Sequence, residues 1–134
     1  MPDTRRTRRT PPGCAALAAL VLAACGSGPS GESMARGAML TGGDPHRAPA
    51  EIRKYGCGTC HTVAGVPGAD GTVGPPLSGI GGRMYVAGVL ANNPTNLVRW
   101  IMDPTAVDSA TAMPDMGVTE AEARDIAAYL YALD

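Results

Sequence analysis

The sequence predicts a small all-α domain, on three observations. The stretch from Thr119 to the C-terminus combines a capping signal with an apolar stripe of helical period. Two earlier stretches open on Asp44-Pro45 and Asn93-Pro94, each an N-cap residue followed by a proline suited to a first helical turn. No segment alternates apolar and polar residues over the four or more positions that mark a strand. At 134 residues the chain suits one small domain. It contains no Phe and only 4% aromatic residues, so its side chains alone make a thin core, and a bulky apolar group bound inside would supply the missing volume.

The first segment is read as a leader rather than as part of the fold. Arg5, Arg6, Arg8 and Arg9 precede the apolar run CAALAALVLAA at residues 14–24, which is too short to cross a bilayer as a helix. Residues 1–24 are therefore expected to be a secretory signal. The paired arginines also suit a twin-arginine signal, but that route carries folded cargo, and the Sec route is preferred. The run ends in Leu22-Ala23-Ala24-Cys25, which resembles a bacterial lipoprotein box, with Cys25 as the acylated N-terminus of the mature chain. The alternative is an ordinary cleavage site with Cys25 left as a thiol. Residues 26–43 are Gly- and Ser-rich without apolar periodicity and read as a flexible tether.

The next helix is predicted from Asp44, or from about residue 47 if Pro49 is to lie in its first turn, and runs through Ile52 and Tyr55. It leads to Cys57-Gly58-Thr59-Cys60-His61. C-x-x-C-H is the attachment signature of a c-type haem. Two thiols three residues apart on a helical turn point the same way and can both join one porphyrin, and the following imidazole is placed to ligate the iron. A chance match, half of a zinc site and a thioredoxin-like redox pair are the competing readings. Zinc needs two further ligands, and only His46 and the N-terminal cysteines remain. The cysteine count closes on the haem reading: Cys14 leaves with the leader, Cys25 takes lipid, and Cys57 and Cys60 take haem. This places the protein on the periplasmic or extracytoplasmic side of a membrane.

Residues 62–82 are nearly all Gly, Pro and small side chains, an irregular loop. A helix follows from Asn93-Pro94 through Leu97, Val98, Trp100 and Ile101, stopping before Pro104. A second loop covers 104–118. In the last helix Thr119 caps, Glu122 completes a capping box, and Ala123, Ile126, Ala127, Leu130 and Leu133 form the stripe.

This order of helix, haem motif, loop, helix, Met-bearing loop and final helix resembles the class I cytochrome c family over residues 44–134. The resemblance implies a small fold of three or more helices wrapped around one covalently attached haem c. Gly74-Pro75-Pro76-Leu77 is similar to the family's Gly-Pro-x-Leu turn, in which the Pro carbonyl accepts the free N–H of the axial histidine and the Leu packs on the ring. It thereby implies that Pro75 orients His61 and that Leu77 is a ring contact. The family's second iron ligand is a Met in the loop before the last helix, which implies Met113 in Ala112-Met113-Pro114, with Met116 as competitor. An Arg and a Trp hold the haem propionates in the family; Arg83, Tyr85 and Trp100 are the candidates here. One departure stands out. The family usually has a Gly eight or nine residues before the first haem Cys, where the first and last helices cross, and this chain has Ala48-Pro49 there.

His/Met ligation leaves no open position on iron, so the resemblance implies an electron carrier rather than an enzyme. Without the leader the chain has seven basic and eleven acidic residues, a net charge of -4, which excludes a basic nucleic-acid footprint. The expected partners are redox proteins, a donor dehydrogenase or cytochrome complex and an acceptor oxidase, met by a monomer held to the membrane by lipid. The uncharged stretch around the motif, including Val63 and Val66, is the expected contact face. A permanent haem subunit of an oxidase or dehydrogenase is the second expectation, and a haem sensor or weak peroxidase the third.

Overall fold

The structure, a computed structural model, describes residues 28–133. The leader and Cys25 lie outside that range. Five helices, a short 3-10 turn and one hairpin make up the fold: α1 (Gly31–Thr41), α2 (Ala48–Lys54), the turn Cys57–Thr59, β1 (Tyr85–Val86), β2 (Leu90–Ala91), α3 (Pro94–Met102), α4 (Pro104–Val107) and α5 (Glu120–Ala132). The long helix α5 is the centre, with α1, α2 and α3 packed against it. Its inner residues Ala123, Ile126, Ala127 and Leu130 are buried with Ile52 of α2 and Leu97, Val98 and Ile101 of α3. The fold is all-α apart from the hairpin. No helix among the described residues is long and apolar enough to cross a membrane.

α5 begins as its sequence predicts. Thr119 accepts the Glu122 N–H, and the Glu122 carboxylate reaches back to Thr119. α3 likewise opens at Asn93, whose side chain accepts the N–H of Asn96 at 2.9 Å, with Pro94 in the first turn.

Three expectations are corrected and a fourth is narrowed. The stretch 26–43 is not a flexible tether throughout, because Gly31–Thr41 is a helix. Ser30 caps it by accepting the Ser33 N–H at 3.2 Å, and Gly42 closes it in the left-handed conformation, its N–H on the Ala38 carbonyl. α1 carries no broad apolar stripe because it docks through small residues. Gly37 is buried so close to α5 that a Cβ there would collide with the Ala128 carbonyl. This is the close helix crossing that Ala48-Pro49 left without a glycine, and it lies in a helix the sequence did not reveal. Second, of the two starts expected for α2 the later one holds: Arg47 is the N-cap and the helix begins at Ala48, not at Asp44. Asp44 instead accepts the His46 N–H at 3.0 Å in a turn, and Pro49 falls in the first helical turn. Third, a hairpin exists: Tyr85 pairs with Ala91 and Val86 with Leu90. Two-residue strands are too short to show alternation. Fourth, the loop 104–118 opens with the one-turn helix α4, capped by Asp103, which accepts the Ala106 N–H at 2.8 Å.

Candidate functional site

α2 delivers the chain to the cysteine turn. Its last turn accepts the Gly56 N–H on the Arg53 carbonyl at 3.1 Å, and Gly56, in the left-handed conformation (φ 67°), redirects the backbone into Cys57–Thr59. The Cys60 and His61 N–H groups both bond the Cys57 carbonyl, at 3.3 and 3.0 Å, and Thr59 ties its hydroxyl to the Gly56 carbonyl at 2.7 Å. Cys57 and Cys60 are free thiols, both half-buried. Burial pushes the Cys57 thiol's pKa above its ordinary value, which favours the protonated thiol at neutral pH.

The loop after the motif folds back on it. Gly71 donates to the Gly58 carbonyl at 3.0 Å, Gly74 to Cys60 at 2.8 Å and Leu77 to Thr62 at 3.0 Å. These bonds seat Pro75 beside the imidazole, and His61 Nδ1 lies 2.7 Å from the Pro75 carbonyl oxygen. That acceptor requires the proton on Nδ1 and leaves the Nε2 lone pair available to a metal. Gly74 makes the seat possible, since a Cβ there would strike the imidazole ring. The sequence reading took Gly74 only as part of a turn; its contact with His61 is a tertiary one with no local signal.

The remaining candidates lie on the loops, on β1 and on α3. Leu77 is half-buried against the core, as are Leu90, Trp100 and Met102. Arg83 is turned to the loop: its Nη2 donates to the carbonyls of Pro76 at 2.5 Å and Ser78 at 3.1 Å. It thereby braces the segment that follows Pro75. Tyr85 on β1 is 55% exposed, and Trp100 on α3 packs against the core. Of the two methionines, Met116 packs against the core. Met113 is half-buried in the loop, its N–H donated to the Thr111 hydroxyl at 3.1 Å. Val63 and Val66 are core residues, only 2% and 4% exposed, so they do not belong to the contact face expected around the motif. Cys25 lies outside the described residues.

Two free thiols on one turn, an imidazole locked through Nδ1 and a margin of half-buried apolar side chains form a donor set that fits a flat, apolar, iron-bearing ring. A profile of the cytochrome c family matches residues 47–134. The chain belongs to the cytochrome c family. Cytochromes c of this kind bind haem covalently and transfer electrons with it, and Cys57 and Cys60 stand in the matching motif. Cytochrome c oxidase subunit 2 of Alkalihalophilus pseudofirmus is similar to this cytochrome, 39% identical over 80 residues. The matched stretch is 58% of this chain and 22% of that subunit, so the chain spans less than a quarter of the relative's length. No solved structure gives a significant match.

Proposed function

We propose that this cytochrome is a single-haem electron-transfer protein of a bacterial respiratory chain, His/Met ligated and held to the extracytoplasmic face of a membrane by lipid on Cys25. The observation that carries the redox part is the 2.7 Å pairing of His61 with Pro75. Bound there, the haem supplies reversible one-electron exchange. The chain's own residues do the rest. Cys57 and Cys60 would fix the ring by thioethers, and His61 would ligate through Nε2. The Pro75 carbonyl orients that imidazole and raises its basicity. Arg83 keeps the Pro75 segment from drifting, and Leu77 would shield the ring from water. Met113 is the proposed second ligand, supported by its place in the loop and by the packing of Met116 into the core. If His61 and Met113 both ligated the iron, no position would be left for a substrate, and the protein would act as a carrier rather than an enzyme.

A second reading is favoured by the likeness to an oxidase subunit 2: the domain serves as a standing haem subunit of a terminal oxidase. Purification from gently solubilised membranes separates the two. A haem-stained band running alone supports the carrier, and one that persists with oxidase subunits through high salt supports the subunit. A pyridine haemochrome spectrum with other than one thioether-linked haem per chain would overturn both.

A further inference from the structure

At the junction of α2 with α5, two acidic side chains meet with too little positive charge to match them. Glu51 of α2 and Asp125 of α5 are each 6% exposed. Asp125 Oδ1 accepts the backbone N–H of Asp44 at 2.6 Å. The other oxygens, Glu51 Oε2 and Asp125 Oδ2, are buried without a hydrogen-bond donor. The nearby cation is Arg47, which precedes α2. Its Nε lies 3.4 Å from Asp125 Oδ2 and 3.7 Å from Glu51 Oε1, and its side chain is 64% exposed, so one solvated guanidinium serves two buried carboxyls. From α5, Glu122 adds a further negative charge nearby, itself held by Lys54 at 2.6 Å and the Tyr55 hydroxyl at 2.6 Å. The segment joining α1 to α2 contributes the Asp44 N–H, the Asp44 carboxylate being exposed and bonded to its own turn.

Buried acceptors that lack donors cost stability, and two carboxylates in one buried site cannot both ionise cheaply. A single proton between Glu51 Oε2 and Asp125 Oδ2 removes both problems at once. We propose that the Glu51–Asp125 pair takes one proton from solvent as the domain is reduced, holds it shared between the two carboxyls, and releases it on reoxidation. The balance is one electron from the redox partner to iron and one proton from water to a carboxylate oxygen, with no other bond made or broken. Burial and the neighbouring Asp125 push the Glu51 carboxyl up to about 7, within reach of physiological pH. Glu51 stands on the helix that precedes the cysteine turn, with Tyr55 N–H on the Glu51 carbonyl at 2.9 Å. An added electron in that low-dielectric body opposes the pair's negative charge and favours the proton; by linkage the proton favours the electron. This inference rests on the haem reading above.

Two measurements on the haem-loaded protein test it. The first is the midpoint potential from pH 5 to 9 for the native chain, Glu51→Gln and Arg47→Gln. The second is infrared absorption of carboxyl groups through a pH titration and across reduction. The native chain should show a potential that falls as pH rises through neutrality, and a protonated-carboxyl band that grows on reduction. Glu51→Gln keeps size and a donor for Asp125, should fold by circular dichroism, and should lose both signals. Arg47→Gln, which removes the exposed cation, should move the window to higher pH. A native slope and band retained in Glu51→Gln would overturn the assignment, as would a titrating band beside a potential that ignores pH. Failure of the haem reading is told apart by its own sign, a missing haem c spectrum. The infrared titration still decides in that case whether the pair shares a proton.

Discussion

Gly37 of α1 rests directly on the main chain of Ala128 in α5, with no room between them for a single methyl group. This contact ties the N-terminal helix to the central one, and it depends on the smallest side chain available. Gly37→Val should therefore push α1 away and destabilise the domain by about 2 kcal/mol or more, the scale of overpacking against a rigid backbone. For a domain of this size that corresponds to a fall in Tm of roughly 10 °C. Thermal unfolding followed by circular dichroism checks it, and an unchanged Tm would mean that α1 is not held at this point.

Gly74 has the same relation to His61. Gly74→Ala should displace the imidazole and lengthen or break its bond to the Pro75 carbonyl. A less basic imidazole stabilises ferric iron less, so the potential should rise, on the order of tens of millivolts for one lost hydrogen bond. Redox titration of the two proteins reads the difference directly. Equal potentials would remove the Pro75 bond from the tuning of the site.

Met113 and Met116 should separate by two readouts. Met113→Ala should abolish the weak sulfur-to-iron charge-transfer band in the far red while leaving stability of the apolar core little changed. Met116→Ala should keep the band and lower stability by about 1–2 kcal/mol, since its side chain packs on the core but is only part-buried. The reverse pattern would move the ligand to Met116.

Glu122 gives a pH test of opposite sign to that of Glu51. Hydrogen bonds from Lys54, then Thr119 and Tyr55, hold its carboxyl well below the usual 4.5, at about 2. A lowered folded value means that its contribution is complete above pH 4.5 and disappears as pH falls toward 2. The stability gap between the native chain and Glu122→Gln should therefore be full at pH 6 and close in acid. Denaturant unfolding across that range measures it, and a gap independent of pH would show that only the cap, not the charge, matters.

Much of this was legible in the residues. The capping box at Thr119 and Glu122, the Asn93 cap and the C-x-x-C-H turn are local signals, and local chemistry fixed them in the structure. Pro75 was reached through family resemblance, and the geometry places its carbonyl on His61 Nδ1. What escaped was tertiary in origin. α1 has no apolar stripe because its contact is made by an absent side chain, and the β1–β2 hairpin is shorter than any period. Arg83 was read by its charge, whereas its place in the fold is decided by two carbonyls a few residues back in the chain. Glu51 and Asp125 drew no notice because each looks like an ordinary surface acid until two helices bring them together.

The docking of α1 also sets how far the haem domain could wander. Were the whole stretch to residue 43 loose, an anchor at Cys25 would let the domain sweep a broad volume above the bilayer. With Ser30 already capping a packed helix, the intervening peptide can extend no more than about 18 Å, at 3.3–3.6 Å per residue. On the proposed lipidation, the cytochrome is then a vessel on a short mooring: it finds its partners by drifting within the plane of the membrane, and those partners must present their own redox centres close to that plane.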